Sequence, residues 1–311
     1  MTDAQTLDAA ILRTVLYADV FNFALTVREL HHYLLSRTPA TLAEIEAALT
    51  SSTLLKGALA RSDELVALNN RPELFTLRRE REAMAQVLWQ PARRYAQVLG
   101  RLPFVRMVAL TGALAMRNPS DPRDDLDYLI VTQPGRVWLA RLLTVAVVRW
   151  VKLRGIVICP NFVLAEDALA QNRRDVYIAH EVTQAVPFYN AVLYGRLREE
   201  NRWTFAHLPN ADGAFHADEP QSAARGGGRL KRALEWLLSG RLGDKIEAWE
   251  KARKIRRFAQ AAHGQNSTAR VDSTQVKGHF NDHGGMVIAQ FRRRLAEFGL
   301  PEIDETEIAA D

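Results

Sequence analysis

The amino-acid sequence predicts an α+β fold in three parts: a small helical N-terminal module, a central domain built on a mixed sheet, and a helical C-terminal region. Three observations predict it. Signals of the type Thr-x-x-Glu recur near the N-terminus and mark the starts of short helices. Two apolar runs, 104–111 and 126–132, flank a polar loop and predict paired strands. Apolar residues at helical spacing recur in the last third of the chain.

The composition is that of a globular protein large enough for about two domains. Of the 311 residues, 48% are hydrophobic and 25% are charged, and the net charge is +5. The single cysteine, Cys159, excludes internal disulfides and a thiolate zinc cluster, and favours a reducing, cytoplasmic location. We expect its thiol to be a small buried apolar group. The N-terminus lacks a secretion signal, and the most apolar segment, 142–148, is too short to span a membrane.

Residues 1–80 form the N-terminal module. Its predicted elements are, in order, a helix over 7–18, helices beginning after Thr26 and Thr41, and a hairpin of the strands 58–68 and 73–77 around a turn at Asn69-Asn70. Three short helices followed by a hairpin resemble a winged-helix domain. That resemblance implies a module that binds duplex DNA.

The third predicted helix bears on whether this module binds DNA. It lies where a recognition helix would lie, and it carries Glu44 and Glu46 but no Lys or Arg. Contact with DNA phosphates needs positive charge, so this helix is unsuited to a duplex. We therefore interpret the module as one for packing or protein recognition, and keep a winged-helix transcription regulator as an alternative.

Residues 81–208 form the central domain, reached through a charged connector helix over 78–101. We expect Pro91 to break or kink this connector. The other predicted elements are, in order, strands over 104–111 and 126–132, a helix over 137–153, a strand over 155–164, and helices over 175–184 and 190–208. Pro160 indicates an edge position or a bulge in the strand over 155–164.

Two carboxylates, Asp125 and Asp127, open the second strand of this domain. Side chains two residues apart on a strand point to the same face, so the two carboxylates lie close together and repel each other. A hard divalent cation with oxygen ligands is the usual neutralising partner. Gly112, at the end of the preceding strand, lets backbone amides approach a phosphate closely. The pattern predicts a site for a metal-bound triphosphate.

This stretch resembles the signature of the nucleotidyltransferase superfamily typified by DNA polymerase beta. That signature is an apolar residue, Gly, a second small residue, a spacer of roughly ten residues, and then Asp-apolar-Asp/Glu-apolar. Gly112 and Ala113 are followed by eleven residues and then by Asp125, Leu126, Asp127 and Tyr128. The alternative is an ordinary hairpin with a solvated acidic turn.

The resemblance implies a Mg²⁺-dependent (or Mn²⁺-dependent) transfer of a nucleoside monophosphate from a nucleoside triphosphate such as ATP to an acceptor. Asp125 and Asp127 would hold the metal ions. Gly112, the amide of Ala113 and Asn118 would cradle the triphosphate. The acceptor would be a protein, a small hydroxyl compound or RNA. We expect the neighbouring Asp124 to order the loop.

The sequence departs from the family pattern at two positions. The family places a third carboxylate on a later strand, but the strand over 155–164 offers only Asn161, which supplies an oxygen without charge. Glu166 and Asp167 follow this strand and would substitute only if the chain bends back. Ala113 replaces a serine that supplies a hydroxyl to phosphate. These departures leave open a catalytically weak or inactive nucleotide-binding or regulatory protein of the same fold.

The C-terminal part consists of a Gly- and Pro-rich linker, 209–228, and a basic helical region, 229–311. Ten Lys or Arg face four Asp or Glu between 229 and 257, so the rest of the chain is close to neutral. This segment predicts contact with a polyanion such as RNA or an acidic membrane surface, or else a helical appendage whose bases are solvated or paired with the acidic linker. The spacing of its tryptophans suits packing.

Two histidine pairs have less definite meanings. His180 and Glu181 lie on the helix over 175–184, where such a pair is a candidate acid/base or ligand pair and more often structural. His279 and His283 have the i, i+4 spacing of zinc ligands, but two glycines follow and no Glu follows the first histidine. The alternative for the second pair is a loop that reaches toward the nucleotide site.

Overall fold

The computed structural model describes residues 6–216, 228–261, 274–277 and 283–301, and it has a mixed α+β fold. The N-terminal module contains, in order, α1 (Leu7–Asp19), β1 (Leu25–Thr26), α2 (Val27–His32), α3 (Leu42–Ser51), α4 (Thr53–Ala58), β2 (Leu59–Ser62) and β3 (Leu65–Leu68). Both predicted capping boxes are present: Thr26 with Glu29 starts α2, and Thr41 with Glu44 starts α3. The three strands form an antiparallel sheet in the order β1-β3-β2.

The predicted hairpin is wrong in its second strand and its turn. The two strands of the hairpin are β2 and β3, and the turn between them contains Asp63, whose positive φ of 55° suits the short polar side chain of aspartate. Residues 73–77 belong instead to α5 (Glu73–Gly100). Pro91 lies inside α5 without breaking it, and the neighbouring Ala92 is fully buried. Packing therefore overrides the local preference of proline.

The central domain is built on a five-stranded mixed sheet. After α5 come β4 (Val105–Leu110), α6 (Gly112–Ala115), β5 (Leu126–Thr132), α7 (Val137–Lys152), β6 (Ile158–Ala165), α8 (Val176–Gln184), β7 (Val186–Tyr189), α9 (Ala191–Glu200) and a 3₁₀ helix (Arg202–Ala206). The C-terminal elements are α10 (Arg229–Leu238), α11 (Arg241–Ala261), β8 (Gln275–Lys277) and α12 (His283–Glu297). The strand order is β7-β4-β5-β6-β8, with only β5 and β6 parallel.

The sequence-based prediction missed the two outer strands of this sheet. β7 pairs with β4, and β8 pairs with β6; each has only a few residues. The predicted helix over 190–208 divides into α9 and the 3₁₀ helix, because Asn201 ends α9 with its amide bonded to the carbonyls of Leu169 and Leu197. The bulge indicated by Pro160 is confirmed, since the register of β5 and β6 shifts between Asp127 and Leu129.

The N-terminal module and the central domain share buried contacts. The apolar core of the module continues into α8 and α12, whose contributions include Val176, Ala179, Val287 and Phe291. Arg78 of α5 forms a buried ion pair with Glu29 of α2, with 2.9 Å between Nη2 and Oε1. Removing either partner of such a pair strongly destabilises the folded protein, because the other charge is left buried without a counter-charge. The module is therefore fixed against the rest of the chain.

The helices α10 and α11 attach to the central domain through charged side chains. The Nζ of Lys231 donates to the carbonyls of Gly100 and Val105 at 2.8 and 2.6 Å. The carboxylate of Glu247 accepts from the amides of Trp138 and Leu139, and so caps the N-terminus of α7 from outside that helix. Of the linker predicted at 209–228, residues 217–227 lie outside the described residues. Among the helices that the structure describes, none has the length and apolar character needed to cross a membrane.

Candidate functional site

A cavity of about 880 Å³ lies between the N-terminal module and the end of the central sheet. Its polar wall comes from the turn after β4, the start of β5, the middle of β6, and α8. Its aromatic wall comes largely from α1 and the residues that follow it. The volume is near the upper end of the range for small-molecule pockets. The cavity is therefore large enough for a substantial ligand.

Asp125 and Asp127 lie together in the polar wall. The carbonyl of Asp127 accepts from the amide of Thr111 at 2.9 Å, which joins the start of β5 to the end of β4. Because β5 and β6 are parallel, Cys159 lies beside Asp127 in the sheet. One ligand atom from each of these three side chains lies within 4.8 Å of the others. The predicted carboxylate pair is thus a compact cluster in the structure.

Gly112 makes this cluster possible. Its φ of +68° is in the left-handed region, and a Cβ at this position would overlap Oδ2 of Asp127 and lie 3.2 Å from its Cβ and Cγ. The backbone of the turn therefore lies directly against the carboxylate. Only glycine permits this close approach between the strand end and Asp127.

Burial and the neighbouring carboxylate of Asp125 raise the pKa of Asp127 to about 7 in the metal-free protein. Glu181 and Asp124 add smaller contributions in the same direction, while a hydrogen bond from Cys159 acts against them. A divalent cation would offset the repulsion between the carboxylates and the cost of burying their negative charge. The electrostatics of the cluster therefore favour a cation.

Cys159 is not simply the buried apolar group that the sequence suggested. Its thiol hydrogen-bonds with Asp127, and burial together with that carboxylate raises the pKa of the thiol to about 12. The thiol therefore stays protonated at neutral pH and acts as a donor to the carboxylate. A protonated thiol is a poor ligand for a hard cation, so the sulfur orients Asp127 rather than completing a thiolate site.

Asn161 lines the cavity from β6 and is only 8% exposed. Its amide oxygen is buried without a hydrogen-bond partner among the described residues. An unsatisfied buried oxygen costs free energy unless a ligand satisfies it, and an amide oxygen is a suitable ligand for a hard cation. With Asp125 and Asp127, it gives a donor set of three oxygen-bearing side chains. This set fits Mg²⁺ or Mn²⁺.

The two acids considered as substitutes for a third carboxylate do not enter the site. The register of β5 and β6 places Ala165 opposite Thr132, at the far end of the strands from Asp127. Glu166 follows directly and pairs with Arg196 at 2.8 Å. Asp167 is exposed and outside the cavity. The chain does not bend back as that substitution would require.

The residues predicted to cradle phosphate occupy different surroundings. Ala113 lines the cavity beside Gly112. Asn118 also lines it, but its amide oxygen accepts from Arg81 at 2.8 Å and its amide nitrogen donates to the carbonyl of Phe21 at 3.2 Å. Its role toward a phosphate therefore stays a prediction. Asp124 accepts from the amides of Ser120 and Asp125, as expected for a residue that orders the loop.

The opposite wall is aromatic and was not predicted from the sequence. It contains Tyr17, Phe21, Phe23, Tyr33 and Tyr177. The hydroxyl of Tyr33 is buried without a hydrogen-bond partner among the described residues. Aromatic residues spaced for a helix and for the segment after it are indistinguishable from core residues in a sequence. Only the packing of the module against the central domain turns them toward a shared cavity.

The two histidine pairs have different surroundings in the structure. His180 is buried, bonds through Nδ1 to the carbonyl of Val176, and stacks on Tyr17 with 4.0 Å between ring centroids. Burial lowers its pKa to about 3, so it is neutral at ordinary pH and structural in character. His180, Glu181 and His283 all line the cavity. His279 lies outside the described residues, so the zinc interpretation of the second pair stays a prediction.

No protein-family model matches the chain, and comparison with curated proteins and with solved structures gives no match either.

The raised pKa of Asp127 predicts a pH-dependent stability for the metal-free protein. Folding raises this pKa from 3.8 to about 7, so its contribution to stability is full below about pH 4 and is lost as the pH rises toward 7. Asp127→Asn should remove this loss. We expect the free energy of unfolding of the variant to exceed that of the wild type by more at about pH 8 than at about pH 5. Urea unfolding in a chelating buffer measures both differences, and an equal difference at the two pH values would contradict the assignment.

Proposed function

We propose that the protein is a nucleotidyltransferase that binds a nucleoside triphosphate with Mg²⁺ or Mn²⁺. One observation carries the proposal. Two neighbouring carboxylates, Asp125 and Asp127, lie beside the Gly112 turn, and Asn161, whose amide oxygen is unsatisfied, lines the same large cavity. A site of this composition suits a metal-bound polyphosphate better than a free anion, because its carboxylates would repel an unneutralised phosphate.

The chemistry assigned to each residue follows from its surroundings. Bound divalent ions would stabilise the attacking and leaving oxygens of the phosphoryl group. Asp127 must be ionised to bind a cation, so metal binding releases a proton from Asp127 and strengthens as the pH rises toward about 7. Asn161 contributes a neutral oxygen, and the Gly112 turn admits a phosphate close to the backbone. Glu181, the remaining carboxylate among the cavity-lining residues, is the candidate to accept the proton of an attacking hydroxyl.

A protein that binds nucleotide with little or no catalysis is the second candidate. Two observations favour it: an amide, Asn161, stands where the family has a third acid, and Ala113 offers no hydroxyl to phosphate. The cavity itself serves either function. Release of pyrophosphate in the presence of an acceptor separates the two.

A role as a winged-helix transcription regulator is disfavoured. Glu44 and Glu46 are exposed on α3, where a DNA phosphate would be repelled. The opposite side of the module, by contrast, lines the cavity with Tyr17 and Phe21. We therefore assign the module to the binding site. The same proposal includes an acceptor for the nucleotidyl group, which is a protein, a small hydroxyl compound or RNA. It also includes a cytoplasmic location.

Thermal unfolding tests nucleotide binding directly. We expect ATP, CTP, GTP or UTP to raise the Tm of the wild type only when Mg²⁺ is present, because the carboxylates repel the free triphosphate. Asp125→Asn and Asp127→Asn should each abolish the shift. The shift, and not the Tm itself, is compared, since neutralising Asp127 also removes repulsion in the metal-free protein.

Asp167→Asn is the matched control, because it removes an exposed carboxylate outside the cavity and should keep the full shift. Absence of any nucleotide response in the wild type would overturn both the transferase and the binding proposal. A response that survives in both aspartate variants would remove the carboxylate pair from the site.

A further inference from the structure

The amphipathic helix α10 turns much of its apolar side outward, although Leu238 packs against the core of the central domain. Leu230, Trp236 and Leu237 are 73%, 82% and 56% exposed. The side chain that α10 buries most deeply is Lys231, at 6% exposed. An apolar helix face normally covers the core, so this orientation calls for a partner outside the described residues. The expectation that the tryptophan spacing here serves packing is wrong for Trp236.

Polar contacts hold α10 in this orientation. Lys231 donates to the carbonyls of Gly100, the last residue of α5, and Val105, the first residue of β4. Glu235 accepts from the amide of Phe104 at 2.7 Å and pairs with Arg106 at 2.7 Å. Rotating the helix to bury Leu230 and Leu237 would break all of these bonds and leave polar groups unsatisfied. The outward apolar face is therefore a fixed feature of the surface.

The helix α11 adds a second exposed row. Leu242, Lys245, Trp249, Ala252 and Arg256 follow one another at spacings of three or four residues, so they share one side of the helix. All five are exposed. The row mixes apolar and cationic side chains. We call these five residues, together with the exposed face of α10, the apolar-basic face.

The acidic residues of the two helices do not neutralise this face. Glu235, Glu247 and Glu250 are turned toward the protein, where they bond to Arg106, to the α7 backbone and to Arg253. Asp244 pairs with Arg136 of the central domain. Within the described parts of the chain, no acidic partner is found for the exposed bases Arg229, Arg232 and Lys245 of this face, or for Arg241 at the start of α11. The outward charge is positive.

We propose that the apolar-basic face docks on the surface of an anionic lipid bilayer. Leucine and tryptophan side chains enter the headgroup boundary, and the arginines and lysine contact lipid phosphates, as in other interfacial helices. A second copy of the chain is disfavoured because two such faces would bring like charges together. A nucleic acid would contact the arginine and lysine side chains of this face, but aliphatic side chains such as Leu230 and Leu237 contribute little to nucleic-acid binding.

The docking helices do not contribute to the cavity, since none of its lining residues lies on α10 or α11. Lys231 holds α10 at Val105, the first residue of β4, whereas Gly112 follows the other end of that strand. The six residues of β4 separate the two positions by roughly 20 Å at about 3.3 Å per residue. The attachment point of α10 and the carboxylate pair are therefore at opposite ends of β4. The proposal stands independently of nucleotidyl transfer.

Co-sedimentation of the full chain with vesicles tests the proposal. We expect binding to phosphatidylcholine vesicles that contain phosphatidylserine, little binding to phosphatidylcholine alone, and weakening by added salt. Trp236→Ser/Leu237→Ser should weaken binding by at least about tenfold, since two inserted side chains are lost. Arg229→Glu/Arg232→Glu should weaken it similarly. Val87→Ser/Val192→Ser, which changes two other exposed apolar residues, is the matched control and should bind as the wild type does.

Contrary results are equally definite. No binding of the wild type to anionic vesicles, or unchanged binding of both face variants, would overturn the proposal. A dimer in light scattering that Trp236→Ser/Leu237→Ser disrupts would assign the face to self-association instead. Binding to single-stranded RNA that depends on Arg229 and Arg232 but not on Leu237 would assign it to nucleic acid. All substituted side chains are exposed, and thermal melting verifies that each variant folds.

Discussion

Gly112→Ala is expected to abolish the metal-dependent nucleotide shift while leaving a folded protein. The new methyl group would overlap Oδ2 of Asp127, so either the carboxylate or the turn must move out of position. The left-handed φ of +68° adds strain of roughly 1–2 kcal/mol for a residue with a Cβ. Thermal shift with Mg²⁺ and ATP measures the loss, and circular dichroism verifies the fold.

Gly135→Ala distinguishes the effect of backbone strain at a positive φ from the effect of steric overlap with Asp127. Gly135 has nearly the same φ, +71°, but a Cβ there meets nothing within 4 Å. This variant should lose stability by the same roughly 1–2 kcal/mol and keep the full nucleotide shift. If both glycine variants keep the shift, the contact between Gly112 and Asp127 has no part in binding. If both lose it, backbone strain alone explains the effect.

Asn161→Asp is expected to strengthen metal binding by at least about tenfold, because it adds a charge to a site that already holds two carboxylates. In the metal-free protein the same charge should raise the pKa of Asp127 further and lower stability at about pH 8 relative to about pH 5. Mg²⁺ should reverse that loss. Titration calorimetry with Mg²⁺, and pyrophosphate release if the chain is catalytic, measure the two effects.

Asn161→Leu is the paired control. It keeps a similar volume but removes the unsatisfied oxygen, so it should weaken metal binding and stabilise the metal-free protein. An Asn161→Asp variant with unchanged Mg²⁺ affinity and unchanged pH dependence would show that this side chain does not share the site. Opposite effects of Asp and Leu on Mg²⁺ affinity are the result that supports the donor set.

The sequence predicted the polar half of the site because that half is local. Gly112, Asp125 and Asp127 lie within one strand-loop-strand unit, and period-two alternation predicts that the two carboxylates share a face. Asn161 was found in the same way, from a polar residue in an otherwise apolar strand. The hydrogen bond between Cys159 and Asp127 was not found, since it depends on the parallel register of β5 and β6.

The aromatic half of the cavity and part of the fold were not predictable in this way. Tyr17 and Phe23 resemble ordinary core residues until the module packs on α8. The short strand β7 lies between two helices and carries Pro187, which argues against a strand. The hairpin was shifted because Asn69-Asn70 is a stronger turn signal than Asp63-Glu64. In each case tertiary contacts outweigh the local preference.

The continuous helix α5 has a consequence for how the chain can be divided. Its 28 residues span about 42 Å and pass residue 80, the boundary drawn from the sequence, without interruption. On one side Arg78 pairs with Glu29, and one turn later Arg81 bonds to Asn118 beside the cavity. An isolated central domain would lose the aromatic wall and expose its binding site. We therefore expect that exchanging the N-terminal module for another would change the shape of the cavity and so which ligands it admits.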